Sequence, residues 1–164
     1  MTKNKLPVAA AIASMLAMPA FAASWQPYIN HSPETPRAIY TQENEGVATL
    51  LSCDKDGQLS VLISYKKGDF IKKMKANAPY RRTVEVSIIR EGVDEGATTW
   101  SLIPAVDTLH TKAHADAAKI YNASILGQEV IVRVPREGDI SLVLPAVDDV
   151  FHAFSSTCQP PRAG

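Results

Sequence analysis

With 164 residues, 17 basic against 17 acidic side chains and two cysteines, the chain has the size of one compact domain and no charge bias. That balance argues against a dedicated nucleic-acid binder, which is normally strongly basic. Beyond the first segment, no run approaches the roughly 18 apolar residues that a spanning helix needs, so no membrane span is expected.

The chain opens on a segment suited to export. Met1 to Lys5 is short and basic, Leu6 to Pro19 is apolar and rich in Ala, and Ala20-Phe21-Ala22 has the small-x-small form of a signal-peptidase site. Residues 1–22 therefore read as a secretory signal, and the product is expected in the periplasm, or secreted. Cleavage there removes Lys3 and Lys5 and no acid, leaving 142 residues with 15 basic and 17 acidic side chains. In an oxidising compartment two cysteines read as one disulfide, Cys53 to Cys158. The alternative is a reactive thiol or a pair of metal ligands, but neither cysteine has a CxxC neighbour or a His close by.

Residues 23–38, with Pro27, Pro33 and Pro36, read as an extended leader, with Trp25 or Tyr28 against the domain. Residues 39–159 read as one globular domain. Ile39-Tyr40 begins a short edge strand, and Val47–Cys53 and Leu59–Tyr65 form a hairpin across Asp54-Lys-Asp-Gly57. Phe70, Ile71 and Met74 suggest a short helix that Asn77-Ala-Pro79 stops. In Arg82–Ile89, Val84, Val86 and Ile88 alternate with other residues, the period of a half-buried strand. Gly92 to Gly96 reads as an acidic turn and Thr98–Ile103 as a strand that ends at Pro104.

Thr111–Leu126, rich in Ala and followed by Gly127, is the best helix pattern. Glu129–Val134 and Asp139–Leu144 flank Pro135-Arg-Glu-Gly138 as a second hairpin. Val147, Val150, Phe151 and Phe154 then fall at i, i+3, i+4 and i+7, one face of a last helix that leads to Cys158. Ser101-Leu-Ile-Pro-Ala-Val-Asp107 is echoed by Ser141-Leu-Val-Leu-Pro-Ala-Val-Asp148. Pro and Asp are favoured at helix starts, so the echo needs no duplicated unit. The expected fold is mainly β with two short helices (α+β): an antiparallel, β-sandwich-like single domain closed by one disulfide.

Among the motifs that carry chemistry, His110-Thr-Lys-Ala-His114 would put two imidazoles one helical turn apart, a spacing that can hold zinc. Thr111 stands where a zincin has Glu, and His31 or His152 could complete a site only through the tertiary fold, so no metal or other cofactor is expected. No GxSxG elbow is present, Ser64, Ser87 and Ser101 sit in strands, and the acid pairs Asp54/Asp56 and Asp148/Asp149 fall in a turn and a first helical turn. The chain is therefore read as a non-enzyme. The strongest functional hint is basic: Lys66, Lys67, Lys72, Lys73, Lys75, Arg81 and Arg82 face a single acid, Asp69, within seventeen residues. Such a patch suits an acidic protein or an anionic envelope component; a solvated loop is the plain alternative.

The order of these features is similar to that of small two-cysteine periplasmic proteins resembling TagO-type accessory factors of type VI secretion. The residues that carry the similarity are Leu50-Leu-Ser-Cys53, Leu59-Ser-Val-Leu-Ile63, Thr99-Trp100-Ser101, a helix before Val130-Ile-Val-Arg133, and Phe151, Phe154 and Cys158 at the end. The resemblance spans about residues 47–158 and includes no catalytic motif; the Lys-rich insert and the Pro-rich leader lie outside it. It implies a disulfide-closed β domain that works by binding, and it carries over no functional residue beyond the cysteine pair. The expected function is thus a non-enzymatic periplasmic binding or assembly accessory. An inhibitor of a cell-wall hydrolase is the alternative, and an envelope hydrolase comes third.

Overall fold

The computed structural model describes residues 23–28, 32–66, 72, 76, 83–135 and 138–158. Nine strands lie within them: β1 (Trp25–Pro27), β2 (Ala38–Thr41), β3 (Val47–Cys53), β4 (Leu59–Tyr65), β5 (Thr83–Arg90), β6 (Val93–Ile103), β7 (Thr108–Thr111), β8 (Val130–Val134) and β9 (Gly138–Leu142). The described α-helices are α1 (His114–Leu126) and α2 (Asp149–Thr157). All the strands belong to one sheet in the order β1-β2-β3-β4-β7-β6-β5-β8-β9, and every neighbouring pair is antiparallel. The mainly β, antiparallel, two-helix expectation holds to this level. The sandwich-like arrangement is not shown: among the described residues the strands form a single continuous sheet, bent so that β9 comes close to β3. Among the described residues no ladder joins β1 to β9, so the sheet is not closed.

The pattern of side chains explains the bend. One face of the sheet is apolar along its whole width, with Leu51, Val61, Ile63, Val86, Ile88, Leu109 and Val132 all buried. Wrapping that face around two amphipathic helices covers it, and strand twist supplies the curvature. α1 packs against β4 and β5, crossing the inner face, while α2 packs against β1 and β2. One core cluster results, which includes Ile120 and Ala123 of α1 and Phe151 and Phe154 of α2. Tyr121 stacks on Phe151 with ring centroids 5.0 Å apart, and its hydroxyl donates to Ser155 Oγ at 2.7 Å, which locks the helices together.

Several boundaries differ from the sequence reading. β6 starts at Val93, because the reversal after β5 needs only Glu91 and Gly92, both at positive φ (49° and 79°). Such a two-residue loop matches strand twist, so the acidic run from Val93 to Glu95 is strand. Thr108–Thr111 is β7, held by ladders to both β4 and β6, and α1 therefore begins at His114. Gly127 does cap α1 in the left-handed conformation, its N–H bonded to the Ala123 carbonyl. The two echoed segments diverge: Pro104–Val106 is a single 3₁₀ turn that leads into β7, whereas residues 143–148 run irregularly into α2.

Cys53 and Cys158 are bonded, with Cα atoms 5.6 Å apart and a sequence separation of 105. The bridge ties the end of β3 to the C-terminus of α2. In the segment read as leader, Trp25–Pro27 pairs with β2, and the Trp25 side chain is 1 % exposed.

Candidate functional site

The outer face of β2, β3 and β4 holds the site. Pairing sets Tyr40 opposite Leu50, Leu50 opposite Leu62, and Leu62 opposite His110. This row alternates with the buried row Ile39, Leu51, Val61, so it points away from the core. It is apolar where an outer face is usually polar. Tyr40, Leu50 and Leu62 of this row, with Tyr28, Ala48 and Ser64, line a groove of about 270 Å³. That volume lies just below the range of small-molecule pockets and suits a single large side chain. Tyr28, at the end of β1, is 39 % exposed and forms one wall.

The sequence carries a signal for this groove. A strand with one wet face alternates strictly, yet Ile39-Tyr40, Leu50-Leu51 and Leu62-Ile63 put large apolar residues side by side. Consecutive apolar residues in a strand place one on each face. Three neighbouring strands that do so at the same register build an apolar stripe on the outside.

His110 closes the row on β7, half-buried between Leu62 and Ser101. Its pKa is lowered, chiefly because burial disfavours the imidazolium and secondly because of the Lys112 ammonium. His114 begins α1 and is exposed, and His152 is exposed on α2. Because a strand end and a two-residue link separate His110 from α1, the two imidazoles are not one helical turn apart. No group of three metal-ligating side chains exists among the described residues.

Of the basic cluster, Lys66 and Lys72 are described; Lys67, Lys73, Lys75, Arg81 and Arg82 lie outside the described residues, as do residues 1–22 and His31. Lys66 follows β4 and pairs with Glu43 at 2.5 Å, so its charge is answered locally. Lys72 is exposed.

A second polar feature lies on the inner side, at the start of α1. Asp116 is 2 % exposed, and its carboxylate accepts from Thr98 Oγ1 at 2.7 Å. Thr98 accepts in turn from Trp100 Nε1 at 3.1 Å. Lys119 bridges Asp116 and Glu95 at 3.6 and 3.5 Å, and Glu95 also pairs with Arg90. These groups satisfy one another, and the network fastens α1 to β6.

Asp148 does the same for β1. Its Oδ1 caps α2 by accepting from the Phe151 amide at 2.9 Å, and its Oδ2 accepts from the Trp25 amide at 3.0 Å.

Among the described residues no helix is long and apolar enough to cross a membrane. Comparison with protein-family models, with curated proteins and with solved structures returned no match for this chain.

Proposed function

We propose that this chain is an exported, non-enzymatic protein of the cell envelope that works by binding a partner protein, as an assembly accessory of the kind found in type VI secretion. The observation that carries the reading is the groove over Leu50 and Leu62. It is an apolar, outward-facing depression of one-side-chain size, on strands that the core and the disulfide hold rigid. Binding energy at protein interfaces concentrates where a large side chain fills such a pocket. The disulfide supports the address, since such bridges persist in oxidising compartments.

The test is co-purification from cells that make the tagged wild-type protein or its Leu62→Arg variant. The expected result is a stoichiometric envelope partner with wild type that the variant loses while its melting temperature holds. A partner kept by Leu62→Arg but lost on changing Lys72, Lys73 and Lys75 to Glu would move the contact to the basic segment. Inhibition of lysozyme by the oxidised protein would replace the assembly role with that of a hydrolase inhibitor.

A further inference from the structure

The groove has a polar neighbour on the same strands. On β3, Leu50 and Ser52 are two residues apart and share the outer face; on β4, Leu62 and Ser60 do the same, and the register sets each opposite its counterpart. β7 carries both rows onward: His110 stands opposite Leu62, and Lys112 follows the Val61–Thr111 pair and so comes beside Ser60. A second depression, of about 310 Å³, opens there, with Ser52, Ser60, Asp54, Gln58 and Lys112 among its walls. One strand repeat, about 6.8 Å, separates the two rows.

The chemistry of this second depression favours an anion. Lys112 supplies an exposed ammonium. Ser52 Oγ and Ser60 Oγ lie 2.7 Å apart, so one hydroxyl donates to the other and the second keeps its proton for a ligand. The one acid, Asp54, is engaged by its own turn: Oδ1 accepts the amides of Asp56 and Gln58, both at 2.9 Å. The Arg37 guanidinium adds positive charge nearby by donating to the Asp54 carbonyl at 2.7 Å. The ligand whose own side chains repeat at this spacing on one face is an extended polypeptide.

We infer that the two depressions form one bipartite groove that reads an extended acidic segment of the partner protein. A large apolar or aromatic side chain fills the pocket over Leu50 and Leu62, and an Asp or Glu, separated from it by a single residue, meets Lys112 and the Ser52–Ser60 pair. The inference rests on the binding role proposed above and adds the partner's chemistry and register to it.

The test is selection from a random heptapeptide phage library on the immobilised, oxidised protein. The expected winners carry an apolar or aromatic residue and an acid with one residue between. In fluorescence polarisation, the corresponding synthetic peptide should bind the Lys112→Glu variant about tenfold more weakly, the loss of one charge-assisted hydrogen bond. Selection on that variant should put Lys or Arg where the acid stood. Winners with apolar residues but no acid at a fixed spacing, or winners that Lys112→Glu leaves unchanged, overturn the bipartite groove and leave the apolar anchor standing. Winners that Leu62→Arg still captures, or no enrichment at all, overturn the groove, and only the co-purification failing as well, with no partner recovered by wild type, overturns the binding role. Leu62→Ser is the milder second variant should Leu62→Arg fail to keep the wild-type melting temperature.

Discussion

The backbone amide of Trp25 donates to the Asp148 carboxylate across 123 residues of sequence, while the Trp25 indole donates to the Pro145 carbonyl at 3.3 Å. The first strand is thus held by the residue that caps the last helix. Asp148→Ala removes the cap and the Trp25 acceptor at once, and should lower unfolding stability by about 2 kcal/mol, the upper part of the range for a lost N-cap. Asp148→Asn keeps an acceptor for the Phe151 amide and should recover about half of that loss. Trp25→Ala should cost more, about 3–5 kcal/mol, because a large buried side chain leaves a cavity. Urea midpoints of the oxidised protein measure all three.

The Cys53–Cys158 bridge closes a loop of 105 residues, for which chain entropy sets a contribution of up to about 4–5 kcal/mol. Cys53→Ser with Cys158→Ser should therefore shift the urea midpoint well below that of the oxidised wild type. Adding a reductant should move wild type to the same midpoint and leave the double variant unmoved. The apolar contact over Leu50 and Leu62 should persist below the new midpoint, since Tyr40, Leu50 and Leu62 of β2, β3 and β4 line it, whereas the acid contact should weaken, since Cys53 lines the second depression.

Burial is the larger cause of the lowered His110 pKa and Lys112 the smaller. His110 should titrate below the ordinary value of about 6.5, and Lys112→Ala should raise its pKa only part of the way back. NMR titration of the imidazole resonances reads both. The folded state favours the neutral imidazole, so it binds fewer protons than the unfolded chain once the unfolded His begins to protonate. The contribution to stability is complete above about pH 6.5 and is lost as pH falls through the folded pKa. His110→Gln should flatten that part of the stability profile.

Arg133 donates from Nε and Nη2 to the two Asp139 oxygens, each at 2.8 Å, at the β8–β9 hairpin. These hydrogen bonds are the main cause of a lowered Asp139 pKa. The stability they contribute is present above the unfolded carboxylate pKa and lost as pH falls through the folded one. Arg133→Gln should bring the Asp139 titration back to the ordinary carboxylate range by NMR. High salt should act in the same direction but less completely, because both groups are exposed.

Thr98→Val leaves the buried Asp116 carboxylate without its hydroxyl donor and the Trp100 indole without its acceptor, and should cost about 2–3 kcal/mol. Lys119→Ala should cost less, about 1 kcal/mol, since its contacts are 3.6 and 3.5 Å long and the lysine side chain itself is partly exposed. Equal losses in chemical denaturation would count against this division of roles.

Local rules were enough for the elements whose signals are local. The turn at Asp54–Gly57 and the alternation in Val84, Val86 and Ile88 place their strands to within a residue or two. Gly127 ends α1 where a left-handed cap predicts, and the apolar stripe of Phe151 and Phe154 fixes the inner face of α2. The disulfide was legible because two cysteines in a chain that starts with a signal-like segment leave one pairing. The start of α1 was not legible: His110 and Thr111 are as acceptable in a helix as in a strand. The ladders of β7 to β4 and β6, which no local propensity records, decided for strand.

What the sequence by itself determined is the mainly β composition, the two helices and the covalent closure, since periodicity, turn residues and cysteine count act within or along the chain. Only the tertiary structure decided that the strands form one bent sheet, that Trp25 is core, and that Tyr40, Leu50, Leu62 and His110 share one outer row. Strand order and register depend on hydrogen bonds between residues far apart in sequence. The choice among registers is made by covering one apolar face as a whole. Ser52, Ser60 and Lys112 become neighbours of the groove by the same pairing, from three positions with nothing in common along the chain.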